Sequence, residues 1–129
     1  NNRTIPADDF FTGMFETALE DGEIITKVVF PIPDKAAYKK FPNPASRYAI
    51  VGAFIAKTND LVRVAITGAG PTVFRIIEME KALTTNFNAE IIKEITVSQD
   101  SLNADLHASA EYRAHLIGVM VGRAVSDCN

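Results

Sequence analysis

Residues 47–57 read RYAIVGAFIAK, a nearly unbroken apolar run that ends at Thr58, Asn59 and Asp60 before residues 61–67 resume as LVRVAIT. An apolar run of this length, bounded by turn residues, reads as a strand buried on both faces. In the second run Val62, Val64 and Ile66 alternate with Arg63, Ala65 and Thr67, so one of its faces is more polar. Two such runs joined by a short Asn-Asp turn form an antiparallel hairpin. The remaining elements must pack around it.

Upstream, residues 23–30 (EIITKVVF) are rich in β-branched side chains and stop at Pro31, Ile32 and Pro33, which predicts a strand with a hard terminator. Residues 37–41 (AYKKF) predict a second strand, closed by Pro42, Asn43 and Pro44. Beyond Gly68, Ala69, Gly70 and Pro71 the period changes. A short helix is expected over residues 75–83, and another from about Asn88, a suitable N-cap, with Ile91, Ile92 and Ile95 on one side. Residues 100–106 read as a loop. The last helix is expected over residues 109–126, with Tyr112, Leu116, Val119, Met120 and Ala124 on its apolar side. Glu111, His115, Gly118 and Gly122 share another side. Strands first and helices afterwards give an α+β fold: an antiparallel sheet of three to four strands with about three helices on one face. Near the N-terminus, Phe10, Phe11, Met14 and Phe15 follow a helical turn at Asp8 or Asp9 and are expected to fill a core or an interface.

A chain of 129 residues has room for one ordinary domain, so residues 1–129 are expected to form a single one. The net charge of −3 argues against a nucleic-acid footprint spread over the domain. A lone cysteine, Cys128, cannot close an internal disulfide and fits a reducing, cytoplasmic setting. The start, Asn1-Asn2-Arg3-Thr4, has no apolar signal region, and its missing methionine suggests a segment excised from something longer. The longest mostly apolar stretch, residues 48–56, is too short to span a bilayer, so a soluble protein is expected.

Candidates for chemistry are few. His107 and His115 are spaced more than two helical turns apart and have no converging partners for a metal. Cys128 lacks an activating base. The segment Gly68-Ala69-Gly70-Pro71-Thr72 could present N–H groups to an anion, but it lacks the lysine and hydroxyl of a phosphate loop and the third glycine of a dinucleotide fingerprint. It reads as a connecting turn. The pair Lys39-Lys40 is by itself a solvated edge. These residues alone specify a fold and no reaction.

Several ordered segments nevertheless resemble one family. They are DFFTG (9–13) with TAL (17–19), DGEII (21–25), AYKKF (37–41), ASRYAIV (45–51), RVAITGAGPT (63–72) and DLHASAEYR (105–113) with Arg123-Ala124. From about Asp8 to Val125 the chain is similar to the C-terminal domain of the FAD-binding medium subunit of molybdenum hydroxylases, the carbon monoxide dehydrogenase group of the xanthine dehydrogenase family in particular.

That resemblance implies an oxidoreductase subunit. In the family, the medium subunit carries FAD, and 2Fe–2S clusters and a molybdenum cofactor reside in partner subunits. The glycine-rich loops for the FAD phosphates belong to a preceding N-terminal domain, and no segment here matches them. The resemblance therefore implies a non-catalytic C-terminal part that covers the flavin and docks the iron–sulfur small subunit and the molybdenum large subunit. It carries two contacts to FAD over to this chain: Lys40, with Lys39 as the alternative one residue away, and Ile25. A fixed ammonium suits either the pyrophosphate or the reduced ring. The rival reading is a stand-alone interaction or oligomerisation module built on the Gly118/Gly122 side and the N-terminal phenylalanines.

Overall fold

The computed structural model describes residues 2–128. A 3₁₀ turn at Ala7–Asp9 leads into a small hairpin of β1 (Phe11–Gly13) and β2 (Glu16–Thr17). The main sheet follows as β3 (Lys35–Pro42), β4 (Ala49–Thr58), β5 (Leu61–Thr67) and β6 (Phe74–Arg75). After it come α1 (Ile77–Thr85), a 3₁₀ stretch at Ala89–Glu94 and α2 (Ala110–Asp127). The four strands lie in the order β3-β4-β5-β6 and each neighbouring pair is antiparallel. The α+β architecture expected from the sequence is the one observed.

The hairpin forms where the apolar runs place it. Thr58 pairs with Leu61, leaving Asn59 and Asp60 as the turn, and Asn59 takes a φ of 52°, which asparagine tolerates better than most residues. Strand alternation then divides the sheet. Val51, Ala53 and Ile55 of β4 and Val62, Val64 and Ile66 of β5 are fully buried on one face. Met79 and Leu83 of α1 and Ile117, Met120, Val121 and Val125 of α2 pack into that core. Burying each large side chain of this kind contributes about 1.5–3 kcal/mol. Tyr38 and Phe54 point the other way and stay half-exposed.

Helix α1 also guards a sheet edge. Beyond the short β6, the Val62 N–H donates to Thr84 Oγ1 at 3.2 Å and the Val64 N–H to Glu80 Oε1 at 3.0 Å. Side chains from the helix thus take up donors that would otherwise invite another strand. Both helical starts downstream are capped, the one at Asn88 as the sequence predicts. Asn88 Oδ1 accepts from the Glu90 N–H at 3.0 Å, and Ser109 Oγ accepts from the Tyr112 N–H at 3.1 Å. The segment after Asn88 is tightened to a 3₁₀ stretch.

Four expectations need correction. Residues 23–30 form no strand: among the described residues, 24 to 33 make no backbone hydrogen bond, and Ile24, Val29 and Phe30 are largely exposed. β-branched side chains favour an extended backbone, but a strand exists only when a neighbour takes up its N–H and C=O groups. Residues 75–83 do not all lie in the helix, because residues 74 and 75 extend the sheet and the helix begins at Ile77. The buried face of α2 is Arg113, Leu116, Ile117, Met120, Val121, Ala124 and Val125, rotated away from the expected Tyr112 and Val119. The stretch 116–121 is almost entirely apolar, so periodicity alone leaves two stripes possible, and the anchoring of Arg113 selects one. Phe11 and Phe15, expected in a core or an interface, are exposed and lie outside the core. Among the described residues no helix is long and apolar enough to cross a membrane.

Candidate functional site

Register fixes which side chains share the uncovered face. Lys40 pairs with Gly52, and Gly52 with Thr67, giving one row across the sheet. Tyr38, Phe54, Ala65 and Arg75 form the next row. Lys40, Tyr38, Phe54 and Thr67 therefore belong to one patch. Lys39 faces the opposite side, where its ammonium pairs with Asp127 of α2. Between the two lysines, Lys40 is the one on the uncovered face.

At the centre of the patch the glycine has a steric reason. A Cβ on Gly52 would collide with Tyr38 Oη and lie 2.5 Å from Thr67 Oγ1. Its absence lets the tyrosine ring lie down across the sheet. Thr67 Oγ1 is buried there and has no hydrogen-bond partner. Native interiors leave few such groups unpaired, so this hydroxyl can bind a small buried water, or a ligand atom once the Tyr38 ring above it shifts. Lys40 Nζ donates to the Arg47 carbonyl at 2.8 Å. That bond steadies the β3–β4 connection, where Arg47 adopts a φ of 64°, and an ammonium retains two further N–H donors.

The second predicted contact stands apart. Ile25 lies in the unpaired segment between β2 and β3, about half-exposed, and no backbone hydrogen bond ties that segment to the sheet. The structure does not bring Ile25 and Lys40 together into one hydrogen-bonded unit. Tyr38, Phe54, Gly52 and Thr67 carry no motif of their own in the sequence. The signal for Tyr38 was present, since it precedes Lys40 by two positions and must share its face. Gly52 and Thr67 required the inter-strand register.

Two polar clusters frame the fold without adding reactive groups. Arg113, 2% exposed, donates through Nη1 to the Ile50 carbonyl at 2.7 Å and the Gly68 carbonyl at 3.0 Å, and through Nη2 to Asp105 Oδ2 at 2.7 Å. N–H bonds from His107 and, after the opposing effect of burial, from Ala108 and Arg113 hold the Asp105 carboxyl below the usual aspartate range. Glu80 receives Arg75 Nη2 at 2.6 Å and Nε at 2.7 Å. Burial raises the Glu80 carboxyl, but the bonds from Arg75 and Val64 outweigh it and leave it lowered. Glu80 in turn raises the Arg75 guanidinium.

The glycine-rich turn serves the same framework. Gly68 adopts a φ of 75°, and a Cβ there would run into the Ala49 carbonyl. The helix after it starts only at Ile77, so the turn does not sit at a helix N-terminus. His107 packs its ring edgewise near Tyr48 at 6.4 Å. Among the described residues no group of three metal-ligating side chains converges.

The sequence profile of the CO dehydrogenase flavoprotein C-terminal domain matches residues 36–128. The chain belongs to that family. Glyceraldehyde dehydrogenase medium chain of Sulfolobus acidocaldarius is 30% identical to it, over 98% of this chain and 49% of the relative. Nicotine 6-hydroxylase medium subunit of Paenarthrobacter nicotinovorans is 33% identical, over 95% and 47%. Carbon monoxide dehydrogenase medium chain of Hydrogenophaga pseudoflava is 27% identical, over 96% and 47%. This family member thus spans about half the length of these relatives, all of them medium chains or subunits of oxidoreductases. No solved structure matches significantly. The four-stranded antiparallel sheet falls almost wholly inside the matched span, and all the patch residues lie within it.

Proposed function

We propose that this domain forms the cover of an FAD site in the medium subunit of a molybdenum hydroxylase of the carbon monoxide dehydrogenase type. The cradle for the FAD phosphates would lie in a preceding N-terminal domain of the same subunit. The observation that carries the reading is the patch on the uncovered sheet face: two half-exposed aromatic rings, Tyr38 and Phe54, beside the Lys40 ammonium. A flat aromatic surface accepts a planar heterocycle by stacking, and the cation suits either the pyrophosphate or the negative charge of a reduced ring. The orphaned Thr67 hydroxyl under Tyr38 adds a polar handle, so the residues present fit the cofactor.

FAD, when bound there, would supply the electron transfer, held by Lys40 and the Tyr38 and Phe54 rings. The work of this chain is to orient and enclose. Lys40 holds a positive charge in place, Tyr38 and Phe54 keep water from one side, and Gly52 leaves space for the ring of Tyr38. Ile25 is the second contact carried by family resemblance, and its half-exposed position is compatible with burial against a neighbouring domain. The helical layer opposite the patch has its own open groove between α2 and residues 89–100, lined by Ile92, Val97, His115, Gly118 and Gly122. We assign that side to docking of the partner subunits.

The decisive experiment compares two polypeptides. The 129-residue chain should acquire no flavin absorbance after incubation with FAD and desalting, whereas the longer subunit should retain it. Lys40→Ala in the longer subunit should weaken FAD retention or shift its reduction potential. Tight FAD binding by the 129-residue chain, or a Lys40→Ala subunit with unchanged retention and potential, overturns the reading.

A further inference from the structure

Residues 42–48 read PNPASRY and must turn the chain from β3 into β4. Pro42 and Pro44 offer no N–H to bond across that turn. Asn43 closes it instead, from a position only 3% exposed. Its Oδ1 accepts from the Ala45 N–H at 2.9 Å and the Ser46 N–H at 3.2 Å, and its Nδ2 donates to Tyr48 Oη at 3.4 Å. Its backbone N–H donates to the Tyr48 carbonyl at 2.8 Å, and its own carbonyl accepts from the Arg47 N–H at 3.0 Å. Asparagine suits the place because its short amide reaches the N–H groups two and three residues on.

This turn sets the conformation of Arg47. That residue takes a φ of 64°, which a residue other than glycine keeps only when its surroundings hold it. With its N–H bound to Asn43, its carbonyl accepts from Lys40 Nζ at 2.8 Å. The sheet adds a second constraint at the same end. Phe41 pairs with Val51 but Pro42 with Ala49, so Ile50 is the extra residue of a bulge, and Arg113 Nη1 holds its carbonyl at 2.7 Å. Bulges bend a strand locally and re-aim its neighbours' side chains. An exposed lysine gives up much rotamer freedom to stay in one place, so holding its ammonium takes a fixed acceptor.

We propose that Asn43 is a positioning residue: by shaping the β3–β4 turn it places the Arg47 carbonyl so that the Lys40 ammonium is fixed on the uncovered face, beside Gly52 and Tyr38. One N–H of the ammonium goes to the carbonyl and two remain for an anion. Asn43 itself touches no cofactor and acts only through Arg47 and Lys40. The consequence for flavin rests on the reading of Lys40 as an FAD contact. The consequence for the lysine does not.

Two measurements test it, one of them without flavin. In the 129-residue chain the Lys40 ammonium should give an ordered, slowly exchanging signal by nitrogen NMR. Asn43→Ala should bring it to the mobility of the exposed Lys81. Asn43→Asp keeps an acceptor for both N–H groups and should restore the order. Tyr48→Phe removes only the acceptor of Nδ2 and should loosen the signal less. In the longer subunit Asn43→Ala should weaken FAD binding about tenfold. Added to Lys40→Ala it should weaken binding no further, because both remove the same fixed charge. A wild-type Lys40 as mobile as Lys81, an unaltered signal in Asn43→Ala, or independent losses in the double variant overturn the proposal. Where Asn43→Ala does not fold, Tyr48→Phe decides on the same signal, loosening it or overturning the proposal. Unchanged FAD binding in Lys40→Ala would refute the cofactor reading, and the NMR signal alone would then judge Asn43.

Discussion

Arg113 donates to Asp105 Oδ2 at 2.7 Å while the same guanidinium holds the Ile50 carbonyl at 2.7 Å, so one side chain of α2 joins a loop to the start of β4. Because Arg113 is buried, removing it takes a donor from the Ile50 and Gly68 carbonyls and from Oδ2 of Asp105. Arg113→Ala should lower unfolding stability by about 3 kcal/mol or more, measured by urea denaturation. Arg113→Lys keeps the charge but loses the planar fork, and should fall between. A loss below about 1 kcal/mol for the alanine variant would show that the bonds contribute little.

Acid should weaken the fold through two carboxylates. Glu80 and Asp105 are both held below their ordinary values, 4.5 and 3.8, by the N–H donors they receive. A group with a depressed folded pKa stabilises the native state above its unfolded pKa, and that contribution disappears as pH falls through the folded value. Stability should therefore be level near neutrality and decline below about pH 4.5. Glu80→Gln should reduce stability at pH 7 and flatten the acid decline. An unchanged slope in that variant would remove Glu80 from the account.

Helix initiation offers a smaller, cleaner measurement. Ser109 Oγ accepts from the Tyr112 N–H, and Ser109→Ala should cost about 1 kcal/mol. Ser109→Asp should restore most of the loss, because a carboxylate both caps and complements the helix dipole. Failure of aspartate to rescue would point to packing rather than capping.

Much of this fold was legible because the relevant signals are local. The hairpin of β4 and β5 follows from two apolar runs and an Asn-Asp turn, and the cap at Asn88 follows from its side chain. What escaped depends on partners distant in sequence. Residues 23–30 carry strand propensity but no hydrogen-bonding neighbour, and propensity cannot reveal whether the neighbour is present. The α2 face turned on Arg113, whose burial depends on carbonyls 45 and 63 residues away. Lys40 came from family resemblance, while its separation from Lys39 needed only strand alternation. Thr67 and Gly52 became visible only through register across three strands.

The Lys40 assignment separates charge from bulk. In the longer subunit Lys40→Arg should preserve flavin retention better than Lys40→Met, which keeps the stem but loses the cation. Retention measured by absorbance after gel filtration decides between them. Equal retention for both would mean that the stem alone matters, and the electrostatic role would be withdrawn.

Gly52, Tyr38 and Thr67 allow the patch to be tested without a cofactor. Gly52→Ala places a methyl group against Tyr38 Oη and Thr67 Oγ1, so it should cost about 1–3 kcal/mol. Combining it with Tyr38→Ala should recover part of that loss, since the ring that collides is gone. Thr67→Val removes a buried hydroxyl that has no partner and keeps the β-branched shape, so the short chain should be unchanged or up to about 1 kcal/mol more stable. In the longer subunit the same substitution should weaken FAD retention. Stability gained in one polypeptide and flavin lost in the other is the signature of a polar group kept for a ligand. Equal destabilisation in both would mean that Thr67 is bonded within the fold by a water molecule instead.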